Sequence, residues 1–303
     1  IACIIATMGS TDAFGIDNIE YISKLRDKLV EEYKLDYTPH IHADAVIGWA
    51  WLFFKDYDFD RNPMGFPPRT LRSLWDTIVN LSALNCADSF GVDFHKTGYG
   101  PYISSMVIIK SKLDLNLISR KTESMPYLFQ FGHYHPGIFT METSRSGGAV
   151  LVAVANLKTF GKEGYRAIIG HIVTMAEILR DKIEKSNSIC LVNNYNYGPV
   201  TLFRVYPGNE NAAQIFNSEI SNPDNEEVLQ KYNNYNRKVF HKLQEYMEEG
   251  RGFALSITER ARDSNYGKPV LALKSFVMTP FISEETMNEL IEIIEEARKE
   301  TDL

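Results

Sequence analysis

The alternation of apolar runs with a helical segment at the start of the chain restricts the fold more than any other feature. Residues 1–7 (IACIIAT) predict a buried strand, and the glycine- and hydroxyl-rich residues after them predict a turn. Residues 19–29 space their apolar side chains like a helix, and the apolar run 39–48 carries Asp44 near its end. This order predicts an α/β fold with a mostly parallel sheet and Asp44 at its ligand-binding edge.

Two later segments in the first half are less regular. Residues 52–80 are acidic, aromatic and rich in proline, so we interpret them as a long surface excursion, followed by a short helix over 75–84. Residues 105–109 (SMVII) are continuously apolar, which predicts a strand covered on both faces.

The pattern changes after residue 160. An amphipathic helix over 161–184 leads into short strands and further helices, with a polar loop around 208–225. We therefore predict a domain boundary between residues 160 and 161, followed by a small α+β domain. The other elements predicted there are strands at 189–192, 200–205, 253–258 and 270–278, and helices at 225–249 and from Ser283.

Composition excludes several classes of protein. The chain has 303 residues, a net charge of -7 and no basic cluster, which argues against nucleic-acid binding and favours a small-molecule partner. No stretch reaches the about 18 apolar residues of a membrane span. Cys3, Cys86 and Cys190 lack metal or disulfide spacing, which favours a reducing cytoplasm. The chain opens at Ile1 inside a strand, so we expect an N-terminal portion to be missing.

Lys96 is the strongest candidate for chemistry. It lies between a histidine and a glycine-rich aromatic turn, directly after an apolar strand (residues 87–102, ADSFGVDFHKTGYGPY). A partly desolvated amine loses some of its preference for the charged form, and the neutral amine condenses with carbonyl groups. Lys96 is therefore a candidate for Schiff-base formation; the alternative is a loop lysine beside a buried histidine.

Two weaker candidates follow. His133 and His135 have metal-like spacing but no third ligand nearby, so we interpret them as loop histidines and expect no metal. Thr143, Ser144 and the backbone around Gly147 precede a helix, where an anion such as phosphate can bind. An ordinary helix cap explains the same residues.

In order along the chain, these residues resemble the group II amino-acid decarboxylases, which use pyridoxal 5′-phosphate (PLP) on the fold type I scaffold. His42-Ala-Asp-Ala45 resembles the His-Val-Asp-Ala element of that family. Ala87-Asp-Ser-Phe90 with Asp93-Phe-His-Lys96 resembles its Ala-Asp-Ser-(x)-Pro-His-Lys element. The resemblance implies a sheet with helices on both faces, with residues 1–160 as the C-terminal part of the large PLP-binding domain and 161–303 as the linking helix and small domain.

The resemblance also implies a set of cofactor contacts. Lys96 would carry PLP as an internal aldimine, and Asp44 would face the pyridine nitrogen and favour its protonated form. The other implied cofactor contacts are Ala45 beneath the ring, Thr11 near the 3′-oxygen, His95 at the phosphate, Ser144 reaching the phosphate from a neighbouring subunit, and His42 and Asp93 within the two motifs.

The implied reaction is decarboxylation of an L-amino acid to its amine through a quinonoid intermediate, with Lys96, His95 and Tyr127 as catalytic residues. Tyr127 resembles the mobile-loop tyrosine that protonates this intermediate. Lys274 stands where glutamate-type relatives place an arginine for the substrate α-carboxylate, but it lacks the bidentate guanidinium. A homodimer with its site at the interface is implied, together with a missing segment or separate chain at the N-terminus.

The chain also departs from the family pattern. Phe94 replaces the usual proline, and Asp12 puts a carboxylate near the expected cofactor edge. Asp12 would favour a basic substrate and Lys274 an acidic one, so the substrate stays open. Two other functions also stay open. Residues 144–148 resemble a segment of carbon–carbon lyases of the sphingosine-phosphate type, and a non-catalytic interaction module would keep the fold alone.

Overall fold

A computed structural model describes residues 1–124, 136–140, 146–193, 198–208 and 211–302. The chain divides into two compact units that are interleaved in sequence. The first unit comprises Ile1–Met8, Ile16–Leu52 and Asn80–Gly164; the second comprises Gly9–Gly15, Phe53–Val79 and Tyr165–Leu303. Most of the chain after residue 164 therefore belongs to the second unit, and the domain boundary at residue 160 remains a prediction.

The first unit contains a four-stranded sheet in the order β1-β2-β3-β4. Its strands are β1 (Cys3–Thr7), β2 (His40–Asp44), β3 (Ser89–Asp93) and β4 (Ser105–Ile109). The first three are parallel, and β4 is antiparallel to β3. Helix α1 (Ile19–Glu32) connects β1 to β2. The predicted α/β class with a mostly parallel sheet is confirmed.

The expectation that residues 105–109 are covered on both faces is wrong. Neighbouring residues of a strand face opposite sides of the sheet, and on β4 both Met106 and Val107 are exposed, at 42% and 63%. Strand β4 also lies at one edge of the described sheet. On the opposite edge, Ile5 of β1 is 69% exposed. Apolar content alone did not reveal that these strands lie at the edges of the described sheet.

The segment 52–80 is not a surface excursion. Its second part is the helix α2 (Pro68–Leu81), and the side chains of Phe54 and Leu74 are fully buried. The Thr70 hydroxyl donates a hydrogen bond to Thr174 Oγ1 at 3.0 Å, so α2 packs against a neighbouring helix. Proline and charge in this segment hid the helical spacing of its buried residues.

Helix α3 (Gly148–Glu184) is interrupted at Gly161, whose φ of 57° is not helical. This break matches the predicted separation of a first helical stretch from the amphipathic helix that starts at residue 161. Only glycine adopts such a positive φ without steric cost.

The second unit has an antiparallel sheet in the order β5-β6-β8-β7. The strands are β5 (Ile189–Leu191), β6 (Val200–Val205), β7 (Ser256–Asp263) and β8 (Pro269–Phe276), and the helices are α4 (Ala212–Ser221), α5 (Glu226–Glu248) and α6 (Glu284–Asp302). The predicted small α+β domain is confirmed. Helix α4 corrects the polar loop expected at 208–225; it forms because Phe216 and Ile220, four positions apart, are both buried.

A polar cluster lies inside this second unit. Arg204 and Glu219 are fully buried and form an ion pair with 2.9 Å between Nε and Oε1. The Tyr206 hydroxyl donates to Glu219 Oε1 at 2.6 Å. Burial raises the pKa of Glu219, and the Arg204 charge opposes that shift. Replacing one partner of such a pair lowers the stability of the fold, because the other charge is left buried and unpaired.

Short 3₁₀ helices complete the described structure. They span Gly48–Phe54, Leu84–Cys86, Lys112–Leu117, Thr122–Ser124, Pro136–Phe139 and Pro223–Asn225. Among the described residues, no helix is both long and apolar enough to span a bilayer.

Candidate active site

The carboxyl ends of β2 and β3 place the predicted site residues at one edge of the sheet. Asp44 ends β2 and pairs in register with Gly91 of β3, two residues before Asp93. His95 and Lys96 follow β3 after one intervening residue, Phe94. Parallel strands that end together form the edge at which α/β proteins bind ligands, so Asp44 and Lys96 are presented on the same side.

The turn after β3 is built on glycine. A Cβ atom at Gly98 would lie 2.7 Å from the Cα and carbonyl oxygen of Phe94, so no larger residue fits without moving the backbone. The N–H of Gly100 donates to the same Phe94 carbonyl at 2.7 Å. The side-chain amide of Asn156 on α3 donates to the carbonyl oxygens of Gly98 and Tyr99 at 3.1 and 3.0 Å.

Two hydrogen bonds from buried side chains also hold the turn. The buried Thr97 hydroxyl donates to the Ile47 carbonyl at 2.9 Å, which ties the turn to the segment after Asp44. The Trp49 indole N–H donates to the Asp93 carbonyl at 3.2 Å. Its ring meets Phe94 edge-on, with centroids 5.1 Å apart, so Phe94 has an aromatic partner where the family has proline.

Asp93 is the charged centre of this turn. Its Oδ2 lies 3.2 Å from Lys96 Nζ and 3.5 Å from His95 Nε2. Its Oδ1 accepts a hydrogen bond from the Ser105 hydroxyl at 2.6 Å. The Lys96 side chain is 28% exposed. The structure thus presents an accessible amine that is held by a carboxylate.

His95 is held on both sides of its ring. Nδ1 lies 3.2 Å from the Ser104 backbone nitrogen and 3.0 Å from the Ser104 carbonyl oxygen, and the ring packs on Tyr102 with centroids 4.2 Å apart. Sequence analysis missed Ser105 and Tyr102, because their contacts are made across the β3–β4 connection. A correct prediction of the pairing between β3 and β4 would have identified Ser105, since Asp93 and Ser105 are paired residues.

His42 lies inside the sheet and not in the turn. His42 Nδ1 and His40 Nε2 lie 2.7 and 2.8 Å from the Ser89 hydroxyl, which links them. Burial lowers the pKa of His42; the Asp44 carboxylate opposes the shift and His40 adds to it. This favours a neutral imidazole beside the end of β2.

The end of β2 fits a PLP ring in its chemistry. Asp44 is half-buried, and its carboxylate accepts the Val46 N–H at 3.4 Å. Gly91, its register partner, has no side chain; a Cβ there would reach Val46 and His42 at 3.8 and 4.0 Å. Asp44 offers a carboxylate for a protonated ring nitrogen, Gly91 leaves space beside it, and Lys96 offers an amine in the turn after the next strand. These features match what the cofactor needs. Ala45 is fully buried, and its contact with the ring remains a prediction.

Thr11 and Lys274 belong to the second unit, together with Asp12. Lys274 is 8% exposed, and its Nζ lies 3.1 Å from Asp12 Oδ1 and 3.5 Å from the Thr11 carbonyl. The Thr258 hydroxyl donates to the same Asp12 oxygen at 3.4 Å. The two residues for which sequence analysis predicted opposite substrate preferences therefore form an ion pair.

Several predicted residues lie outside the described ranges. They are Tyr127, His133, His135, Thr143 and Ser144. Among the residues that the structure does describe, no group of three or more histidine, cysteine, aspartate or glutamate side chains is arranged to hold a metal.

Comparison with known proteins finds a matching family and relatives that include decarboxylases. The family described as the pyridoxal-dependent decarboxylase conserved domain matches residues 1–205. The aspartate 1-decarboxylase of Aliivibrio fischeri is 25% identical over 290 residues, covering 95% of this chain and 46% of the relative. The L-tyrosine decarboxylase of Enterococcus faecium is 27% identical over 198 residues, covering 60% of this chain and 31% of the relative.

Solved structures show the same fold. Mouse CSAD superposes with a TM-score of 0.67 at 17% identity, covering 97% of this chain and 52% of that one. The glutamate decarboxylase domain of a Vibrio parahaemolyticus protein gives a TM-score of 0.62 at 16% identity, covering 98% and 46%. The chain spans about half the length of these structures, and 46% and 31% of the two curated relatives.

Proposed function

Because this chain belongs to the pyridoxal-dependent decarboxylase family, we propose that it is part of an enzyme that decarboxylates an L-amino acid with PLP. The single observation that supports this most is the pairing of Lys96 with Asp93 directly after β3, at the sheet edge where β2 ends in Asp44. An amine that can bond an aldehyde and a carboxylate that can pair with a pyridinium are the two groups this chemistry requires.

Each residue has a part that follows from its chemistry. PLP, when bound, supplies a sink for the electron pair that remains after carbon dioxide leaves. Lys96 would bond the cofactor and release it to the substrate amine, and Asp44 would keep the ring nitrogen protonated by charge attraction. His95 would contact the phosphate. His42 would support the end of β2 from beneath.

Three further roles come from the resemblance. We propose that Tyr127 returns a proton to the substrate carbon and that Ser144 contacts the phosphate of a neighbouring subunit. Thr11 would lie near the cofactor's 3′-oxygen, and its backbone carbonyl oxygen lies 3.5 Å from Lys274 Nζ.

The substrate class depends on how Lys274 is used. We propose that it receives the substrate carboxylate, for which its ion pair with Asp12 must open or be shared. Asp12 is 69% exposed, so the pair is weak enough to exchange partners. Relatives are named for aspartate, tyrosine and diaminobutyrate, which span acidic, aromatic and basic side chains.

The same resemblance leads us to propose a cytoplasmic homodimer whose site lies at the interface. All three cysteines lie in the described ranges and carry free thiols, which fits a reducing compartment. The exposed apolar side chains on β1 and β4 support covering by a second copy, by an N-terminal segment or by a separate chain.

Trapping the cofactor on Lys96 tests the proposal. PLP is added to the chain, the product is reduced with borohydride, and peptides are mapped by mass spectrometry. We expect the pyridoxyl group on Lys96 and its loss in Lys96→Ala, whereas Lys110→Ala, which alters an exposed lysine of the same unit, keeps it. Labelling that is spread over surface lysines and unaffected by Lys96→Ala would contradict the assignment. Release of carbon dioxide from a panel of amino acids then identifies the substrate.

A further inference from the structure

We propose that Asp93 holds the free amine of Lys96, and that Ser105 is a positioning residue that fixes Asp93 for this task. The proposal rests on the proposed function in one respect, namely that Lys96 is the reacting amine. The resemblance places Asp93 only among the cofactor contacts and assigns nothing to Ser105.

The Asp93 carboxylate uses its two oxygens for two different purposes. Oδ2 faces the cation, with Lys96 Nζ at 3.2 Å, while Oδ1 accepts the Ser105 hydroxyl at 2.6 Å. Asp93 is only 9% exposed, and a carboxylate buried to this degree is stable only with partners. One oxygen therefore sets the orientation of the carboxylate, and the other is left directed at Lys96.

The strand register keeps Ser105 next to the Asp93 carboxylate that it orients. Asp93 and Ser105 are directly paired residues of the antiparallel strands β3 and β4. Paired residues place their side chains on the same face of the sheet, so the Ser105 hydroxyl lies beside the carboxylate without a change of loop conformation. The Trp49 indole fixes the Asp93 carbonyl independently.

His95 shares the same oxygen. His95 Nδ1 lies 3.2 Å from the Ser104 backbone nitrogen and 3.0 Å from the Ser104 carbonyl oxygen, so the Ser104 backbone holds this side of the ring. Nε2 lies 3.5 Å from Asp93 Oδ2. Asp93 Oδ2 thus contacts both His95 and Lys96, and rotation of the carboxylate would alter both contacts together.

The consequence concerns Lys96 whenever its amine is not bonded to the cofactor. A lysine amine on a flexible four-carbon stem samples many rotamers, and the carboxylate confines it to the end of β3. Holding a reacting group in place reduces the entropy that must be lost when it attacks again. Ser105 would act on Lys96 only through Asp93.

Competitive labelling of the cofactor-free chain tests this without relying on PLP binding or turnover. The chain is treated with limiting acetic anhydride, and acetylation of Lys96 is measured by peptide mass mapping relative to the exposed Lys28. We expect Asp93→Asn to increase relative Lys96 labelling about tenfold, because the carboxylate no longer holds the charged amine. Ser105→Ala should increase it roughly threefold, because Asp93 keeps its charge but loses the hydrogen bond that orients it.

Two variants separate positioning from general loosening. Ser105→Thr keeps the hydroxyl and should label like the unaltered chain. Ser104→Ala removes a neighbouring hydroxyl that donates to the Ala149 carbonyl at 3.5 Å, and it should also label like the unaltered chain. Circular dichroism checks that each variant is folded.

Several labelling results would contradict the proposal. Unchanged labelling in folded Asp93→Asn overturns the whole proposal, and unchanged labelling in Ser105→Ala overturns the role of Ser105. Equal effects of Ser104→Ala and Ser105→Ala, or failure of Ser105→Thr to restore the normal rate, would also overturn that role. Failure of the trapping experiment with PLP would leave this result standing, so the two proposals can fail separately.

Discussion

The two units differ in how much apolar surface they leave uncovered. The second unit closes a core between its sheet and its helices, in which Phe203, Leu273 and Ile294 are fully buried. The first unit exposes apolar side chains on both outer strands and at the start of α3, where Leu151 is 72% exposed. Both units bury apolar side chains, such as Ile41 and Trp51 in the first, but Lys96 lies in the unit that leaves more of them exposed.

This difference makes the first unit the more suitable of the two for the contacts proposed above. Its outer strands β1 and β4 carry exposed apolar residues, a combination that promotes pairing with another chain. The second unit directs its apolar residues inward from three helices and a sheet. We therefore expect substitutions to affect stability strongly in the second unit, and to affect the Lys96 turn locally in the first.

The largest effect should come from the core of the second unit. Leu273→Ala removes a fully buried side chain from β8 and should lower the free energy of unfolding by about 3 kcal/mol. Val107→Ala, a truncation of an exposed residue on β4, should change it by less than about 0.5 kcal/mol. Urea denaturation of the three proteins measures both values.

A large cost for Val107→Ala would break the comparison. It would mean that β4 is covered in solution by a contact of the kind proposed for a second copy or a further segment. Repeating the measurement over a range of protein concentrations distinguishes these two sources, because only contacts between copies strengthen with concentration.

A smaller effect is expected in the turn that carries Lys96. Gly98→Ala forces a Cβ into the Phe94 backbone and should cost about 2 kcal/mol, with loss of PLP trapping on Lys96. Gly147→Ala is the matched control, because nothing lies within 4 Å of a Cβ at that position. If both variants trap PLP equally well, the tight turn is not needed to present Lys96.

Much of the fold could be predicted from the sequence, because the signals were local. Apolar runs ending in a carboxylate predicted β2 and the end of β3, and helical spacing predicted α1, α5 and α6. Helix α2 was predicted only in its second half, as a short helix over 75–84, and its start at Pro68 was missed. Its buried face mixes Thr70, Ser73 and Thr77 with Leu74 and Ile78, which hid the apolar spacing. The exposure of β4 depends on which neighbours the strand has, and the sequence of a strand does not encode this.

In the candidate site too, residues close together in sequence could be predicted and distant ones could not. The motif identified Asp93, His95 and Lys96, whose contacts with one another lie within one turn. It could not reveal Ser105 or Asn156, which reach this turn from β4 and α3. The pairing of Lys274 with Asp12 was missed for the same reason, since 262 residues separate them.

The smallest expected effect is a pH dependence that arises in the first unit. Burial lowers the pKa of His42 below its ordinary value of 6.5, so near that pH the unfolded chain binds more protons than the folded one. The stability contribution of the neutral imidazole is therefore complete above pH 6.5 and is lost as the pH falls below it. Urea denaturation at pH 7.5 and 5.5 measures this loss, which should shrink in His42→Gln. His241→Gln, at an exposed position on α5, should retain it. An identical pH dependence in all three proteins would mean that the acid sensitivity of folding does not arise from His42. The two units would then not differ in how their stability responds to acid.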